Sequence, residues 1–348
     1  MAQVKVGVVG VGRMGERHCR VFSNMRKVRL GGVCDIDKMT GHQVSEKYEV
    51  DYFEDLEDLL ACVDAVTIAT PTGEHFKQAM EALQNDVHVL IEKPVTETLA
   101  QAESLSRLAE KRNLIVLVGH IERFNPAYIE LKNVIEDQDP LAISFQRLSP
   151  FKGSNTDIDV ILDLMIHDSN LVFDLLGRLP QEFHAYGFTA FSGTVDHAVA
   201  QLLFENGPIL TLSVSRVTEQ KIRRIDVTCR DSYVECDLLN KSLLIHHHTM
   251  GEYINRGQRG VQYHQESIVE RISVPTFEPL FLELQHFIDC IINGSQPLVS
   301  ASDGYEALKL SMQIRDNVLE QMLYLDRRSQ PRSKESKSLS ELESAISK

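Results

Sequence analysis

The 348-residue chain is long enough to bury two sizeable cores, and 43% hydrophobic with 25% charged residues excludes a disordered or fibrous class. Fifty acidic residues against 36 basic ones give a formal charge of −14 with no basic run to offset it. That balance excludes nucleic-acid backbones and membrane surfaces as partners, while leaving room for an anionic ligand in a local basic pocket.

Short apolar strands fall at 4–10, 28–35, 65–70, 88–93 and 114–120, with helical periodicity between them at 15–25, 38–48, 54–61, 73–85 and 96–113. Continuous apolar strands joined by helical crossovers predict a parallel sheet covered on both faces. A helix at 125–138 and a strand at 142–148 follow, then the apolar helix "DVILDLMIHDSNLVFDLLG". From 181 to 275 period-two strands dominate, with an Asn-Gly hairpin turn in "FENGPIL", and helices at 278–293 and 302–323 close the pattern. The fold class is therefore α/β: a parallel-sheet domain over 1–122, then an α+β domain with an open, mainly antiparallel sheet over 123–325. The polar remainder, 326–348, reads as a mobile tail.

The N-terminal apolar run is too short and glycine-broken for a signal segment, and no stretch approaches the roughly 20 apolar residues of a membrane span. Six cysteines (19, 34, 62, 229, 236 and 290) show no metal-ligand spacing and read as core thiols. A cytoplasmic protein without a structural metal is the expectation. The histidines at 246–248 alternate faces along a strand and read as structural rather than metal-binding; the acidic run at 54–58 reads as a solvated helix start.

Gly10, Gly12 and Gly15 in "VGVVGVGRMGERH" form GxGxxG directly after the first strand. The first permits the tight turn, the second lets the backbone approach a pyrophosphate, and the third lets helix and strand pack closely. The anion then sits at the helix N-terminus, beside Arg13 and Met14. Asp35 ends the second strand twenty residues after Gly15. A carboxylate there accepts from an adenosine ribose and repels a 2′-phosphate, by roughly 4 kcal/mol at about 4 Å, so NAD is expected over NADP, with Arg13 and Lys38 able to soften the preference.

Two further stretches end strands of the parallel sheet, where open α/β sheets bind ligands: Thr70, Pro71 and His75 in "ATPTGEH", and Glu92, Lys93 and Pro94 in "IEKPVTET". Desolvating the Lys93 ammonium is costly, so a hydrogen-bonding or proton-donating task is the expectation. In the apolar helix Asp163, His167, Asn170 and Asp174 are spaced 4, 3 and 4 apart and share one face. That stripe faces either water or a group needing a proton acceptor. Asp168 lies off it and is expected to bond backbone; Asn170 and Asp174 are read as structural.

In this order and spacing, GxGxxG, the acid ending the second strand, "TPTGEH", "EKP" and "DLMIH" resemble the Gfo/Idh/MocA family of nicotinamide-dependent oxidoreductases, from residue 4 to about 320. The resemblance implies a Rossmann domain, a substrate domain, and Lys93, Asp163 and His167 flanking the nicotinamide. His167 would take the hydroxyl proton, Asp163 would orient its ring or hold a neighbouring hydroxyl, and Lys93 would stabilise the developing alkoxide; which of Lys93 and His167 is the base stays open. In "GHIERFNPA", Arg123 would reach the cofactor's carboxamide end. The stretches "DVILDLMIHDSNLVFDLLG", "RLSP" and "EPLFLEL" are similar to the sugar-nucleotide branch, UDP-N-acetylglucosamine 3-dehydrogenases. Those make a 3-keto product for an aminotransferase on the way to lipid A or surface glycans. A diphosphate needs cations, and Arg147, Lys152 and Arg216 are the candidates. An inositol or free-hexose dehydrogenase and a non-catalytic nucleotide sensor are the alternatives. An open sheet with one uncovered face is expected to give a homodimer or homotetramer.

Overall fold

The computed structural model describes residues 3–153, 156–247, 252–254, 262–264 and 268–329. The first domain alternates β1 (Val4–Val9), α1 (Arg13–Phe22), β2 (Val28–Cys34), α2 (Lys38–Tyr48), β3 (Tyr52–Phe53), α3 (Leu56–Leu60), β4 (Ala65–Ile68), α4 (Thr72–Gln84), β5 (His88–Glu92), α5 (Leu99–Arg112) and β6 (Val116–Gly119). All pairings are parallel, in the order β3-β2-β1-β4-β5-β6. Val6, Val8, Ala65, Val66, Val89 and Leu90 are fully buried, because helices cover both faces of the sheet. Local chemistry sets the helix ends: Thr98 and Gln101 form a reciprocal capping box on α5, and Asn113 closes it in the left-handed conformation. The two-residue β3 is an addition to the five strands expected.

A 3-10 turn (Ile121–Phe124) and α6 (Pro126–Ile135) lead into the second domain. Its eight-stranded sheet contains β7 (Pro140–Leu148), β8 (Glu182–Phe188), β9 (His197–Leu203), β10 (Ile209–Ser215), β11 (Ile222–Cys229), β12 (Ser232–Asp237), β13 (Ser242–His247) and β16 (Ile268–Ile272). The short pair β14 (Glu252–Ile254) and β15 (Gln262–His264) stands apart. The strand order is β16-β13-β12-β11-β7-β10-β9-β8, antiparallel except where β10 meets β7. The β9–β10 hairpin runs through Asn206 at φ 50°, in a five-residue connection rather than a two-residue turn.

The helix between β7 and β8 is not uniform. A π-helical turn (Ile161–Met165) opens directly into α7 (Ile166–Leu176), an irregularity common at functional sites. Buried charge fixes α7 to the sheet: the Arg147 guanidinium donates to Asp168 at 2.6–3.0 Å and to Glu122 at 2.8 Å. Helices α8 (Pro279–Asn293) and α9 (Ala301–Ser329) close the fold. Leu280, Leu284, Phe287, Ala307 and Leu308 join the core of the first domain, whereas Leu310, Ile314 and Val318 join that of the second. The C-terminal helices therefore serve both cores, which a division at residue 122 does not capture. α9 also runs past the expected end at 323; residues 330–348, most of the expected tail, lie outside the described residues. Among the described residues no helix is long and apolar enough to cross a membrane. All six cysteines are free thiols, and all but Cys62 are buried.

Removing one partner of a buried ion pair strands the other. Asp168→Ala is expected to lower unfolding free energy by about 3 kcal/mol, softened by the surviving Glu122; urea denaturation at neutral pH measures it.

Candidate active site

Between β1 and α1 the backbone forms a cradle. Gly10 has φ +80°, and a Cβ on it would lie 2.7 Å from the Thr70 methyl. A Cβ on Gly15 would lie 1.9 Å from the Gly10 carbonyl, so only glycine lets α1 pack here. Gly12 has nothing within 4 Å of its would-be Cβ and caps α1 without a side chain. The first-turn N–H groups are thus left for an anion from outside, and Arg13 is exposed beside them. Met14 turns partly into the core. These residues fit the pyrophosphate of a dinucleotide.

Asp35 has a structural task at the same place. Its carboxylate accepts the Val11 N–H at 2.7 Å and the Asp37 N–H at 2.9 Å, tying the glycine turn to the end of β2. Thr70 and Pro71 follow β4, where the Thr70 hydroxyl donates to Gln78 at 2.7 Å. His75 is a buried strut between two loops: its ring nitrogens lie 2.9 Å from the Thr70 and Pro94 carbonyls. Burial pushes its pKa down despite those carbonyls, and it presents no ring nitrogen to a ligand.

The loops after β5 and the π turn meet across the two domains. Lys93, whose peptide bond to Pro94 is cis, donates Nζ to the Asp163 carbonyl at 2.8 Å and to its carboxylate at 3.2 Å. Both side chains keep about a fifth of their surface open, 20% and 22%. One turn on, the partly exposed His167 keeps a buried Nδ1 that has no hydrogen-bond partner among the described residues. Burial, then the charges of Lys93 and Arg147, hold its pKa well below that of an ordinary histidine. His120, missed as a site residue, stands edge-on to it with ring centroids 6.2 Å apart. It is 1% exposed with both nitrogens unpartnered among the described residues; burial and then Lys93 bring its pKa down to about 3. Two neutral imidazoles thus face one ammonium.

Folding gives several of these residues partners of their own. Arg147 is engaged by both Asp168 and Glu122. Asp168 accordingly binds that guanidinium rather than backbone. Arg123 is buried and pairs with Asp174 at 2.7 Å and the Leu298 carbonyl at 3.0 Å. Asp174 is structural as expected, also taking Tyr128 at 2.5 Å and Lys132 at 2.9 Å. Arg216 pairs with Asp196 at 3.7 Å and donates to the Ile158 carbonyl, bracing the chain before the π turn. Asn170 is buried with its whole amide unpartnered among the described residues, so no structural bond explains it. Lys152 is exposed on the loop after β7. His246 and His247 face different acids, Glu235 and Glu270; His248 lies outside the described residues.

Behind Lys93 sits a buried acid pair. Glu92 lies 3.3 Å from the buried His18 of α1. Glu283 of α8 is fully buried with both oxygens unpartnered among the described residues, and burial, then the charge of Glu92, raises its pKa well above the usual range. The single acid inside the apolar stretch "FLELQHF" was its one sequence signal.

Residues 4–120 match the family model described as "Oxidoreductase family, NAD-binding Rossmann fold", and residues 147–235 match "GFO/IDH/MocA C-terminal domain". The chain is 34% identical over 315 residues to UDP-N-acetylglucosamine 3-dehydrogenase of Acidithiobacillus ferrooxidans, covering 90% of this chain and 97% of that one. It is 27% identical to scyllo-inositol 2-dehydrogenase (NAD(+)) of Bacillus subtilis, covering 86% and 90%. The solved structure of the Acidithiobacillus enzyme superposes with TM-score 0.82 at 32% identity, covering 91% and 98%.

The neutral histidines make stability pH-dependent. Below pH 6.5 an unfolded His120 takes up a proton that the native ring refuses until about pH 3. The unfolded state then binds more protons, so stability falls as pH drops through that window. His120→Gln is expected to flatten the fall relative to wild type, read by chemical denaturation at stepped pH; equal slopes would show that the ring is not held neutral.

Proposed function

The chain belongs to the Gfo/Idh/MocA oxidoreductase family, and on that premise we propose that it is an NAD-dependent dehydrogenase oxidising the 3-hydroxyl of UDP-N-acetylglucosamine to a ketone. The observation carrying this reading is the meeting of Lys93 with Asp163 beside the neutral His167. End-to-end similarity to the Acidithiobacillus enzyme supports the substrate.

Bound along the glycine turn, the nicotinamide dinucleotide supplies the hydride acceptor. Everything else falls to the protein. Lys93, fixed by two bonds to Asp163, donates to the substrate oxygen and stabilises the charge developing there. His167, kept in its proton-accepting form by burial, receives the hydroxyl proton. Asp163 positions the ammonium rather than the imidazole, since its carboxylate is engaged with Nζ. NAD is preferred over NADP because Asp35 places negative charge beside the ribose, while Lys38, which would offset it, is paired with Glu54 at 2.6 Å.

The keto product suits consumption by an aminotransferase on an amino-sugar route such as lipid A, in the cytoplasm. The outer face of the second sheet bears exposed Tyr186, Phe188, Leu203 and Ile209, a surface suited to a homodimer or homotetramer.

Incubation with NAD and a panel of UDP-sugars, inositols and hexoses, followed by nicotinamide absorbance, tests the reading. Reduction dependent on UDP-N-acetylglucosamine is expected, whereas turnover of inositols alone would overturn it. Lys93→Met and His167→Ala should each cut turnover by about 10²–10⁴-fold with NAD affinity retained.

A further inference from the structure

Three cations at one end of the β7–β11 pair make no direct ion pair among the described residues, although Asp168, Glu122 and Asp163 act on Arg223 at longer range. Arg223 on β11 lies directly opposite Arg147 on β7, and residues paired this way share a sheet face, here the face that carries α7. Arg147 holds two carboxylates. The half-buried Arg223, by contrast, spends Nη1 on the Leu148 and Ile222 carbonyls, at 2.7 Å each. Among the described residues no carboxylate comes within ion-pair distance of Arg223, Lys221 or Lys152. The cluster is close-knit: burial, then Arg223 and Lys152, lower the pKa of Lys221. Burial and then Arg147 bring Arg223 down to about 10. Its charge is felt at both His167 and Asp163, so the group lies on the reacting side of α7. The part-buried Arg223 carries a desolvation cost that an arriving anion would offset, and the exposed Lys152 and Lys221 add positive charge beside it in a chain of net charge −14.

Beside them stand two phenyl rings. Phe151 precedes Lys152 in the chain and faces Phe191, with centroids 5.2 Å apart and planes tilted by 48°. They are 38% and 68% exposed, which the core does not require. The Phe191 loop is built rather than slack: the buried Asp196 carboxylate accepts the N–H groups of Ala190, Phe191 and Ser192 at 2.7–3.0 Å. Arg216 secures Asp196 in turn.

We propose that Lys152, Lys221 and Arg223 bind the diphosphate, and Phe151 with Phe191 the base, of a nucleoside diphosphate sugar whose sugar ring reaches Lys93 and His167. This rests on the nucleotide-sugar reading above and gives it a specific site. The cations supply charge-assisted bonds to phosphate oxygens, and the rings offer stacking surface to a base.

Isothermal titration of the full-length protein with UDP and with inorganic pyrophosphate tests it, with NAD titrated as control. Wild type is expected to bind UDP. Arg223→Gln and Lys221→Gln should each weaken UDP at least about tenfold, and Phe191→Ala should weaken UDP while sparing pyrophosphate; all three should leave NAD affinity unchanged. Lys221 and Phe191 are exposed, so their variants fold even where Arg223→Gln does not. UDP binding unaltered in Lys221→Gln and Phe191→Ala overturns this site and leaves the nucleotide-sugar reading standing. Wild-type protein that ignores UDP yet oxidises an inositol overturns both.

Discussion

An ammonium at the carboxyl end of one sheet meets a carboxylate on a helical turn belonging to the other. The contact of Lys93 with Asp163 ties the two halves of the molecule together at the candidate site. Its worth as a stabilising interaction is small, since partly exposed ion pairs contribute about 1 kcal/mol or less. Its worth is positional. Two bonds to a single residue, one to the carbonyl and one to the side chain, leave Nζ with one proton and a defined direction.

The surroundings sort charge by purpose. Under α7, Arg147 is matched by Asp168 and Glu122, and Arg123 by Asp174. Those pairs hold the helix in place and leave neither guanidinium without an acid. Nearer the reacting position the pattern reverses. His120, His167, Asn170 and Glu283 carry buried polar atoms that no described group satisfies. Buried polar groups are normally bonded, and such departures concentrate where a protein has work to do. The stable part of the fold is thus electrostatically closed, whereas the part beside Lys93 is left open.

Much of this was legible in the sequence, for identifiable reasons. The glycine turn, Asp35 and the strand ends carrying Thr70 and Lys93 are local features, read from spacing over a few residues. The stripe from Asp163 to Asp174 was also legible, but not that its first member sits in a π turn, because side-chain periodicity does not register one wider turn. β3 is two residues long, too short to show a period. The partners of the arginines were not legible, for a deeper reason. Arg147 finds its acid 21 residues away and Arg123 finds Asp174 across two elements, so their neutralisation exists only after folding. Arg223 was overlooked for the converse reason: with Arg224 beside it, nothing local shows which guanidinium faces α7 and which faces Asp226 and Glu235 on the other side of the sheet.

The last helix has a consequence for the chain as a polymer. α9 begins against β6, inserts Ala307 and Leu308 into the first core, and one turn later sends Leu310 and Ile314 into the second. A fragment cut after the parallel sheet would therefore expose Leu117 and Val118 to water and lose the lid that α8 places over α1. The parallel sheet is therefore not a self-contained packing unit: its core is completed by side chains that lie more than 150 residues further along the chain.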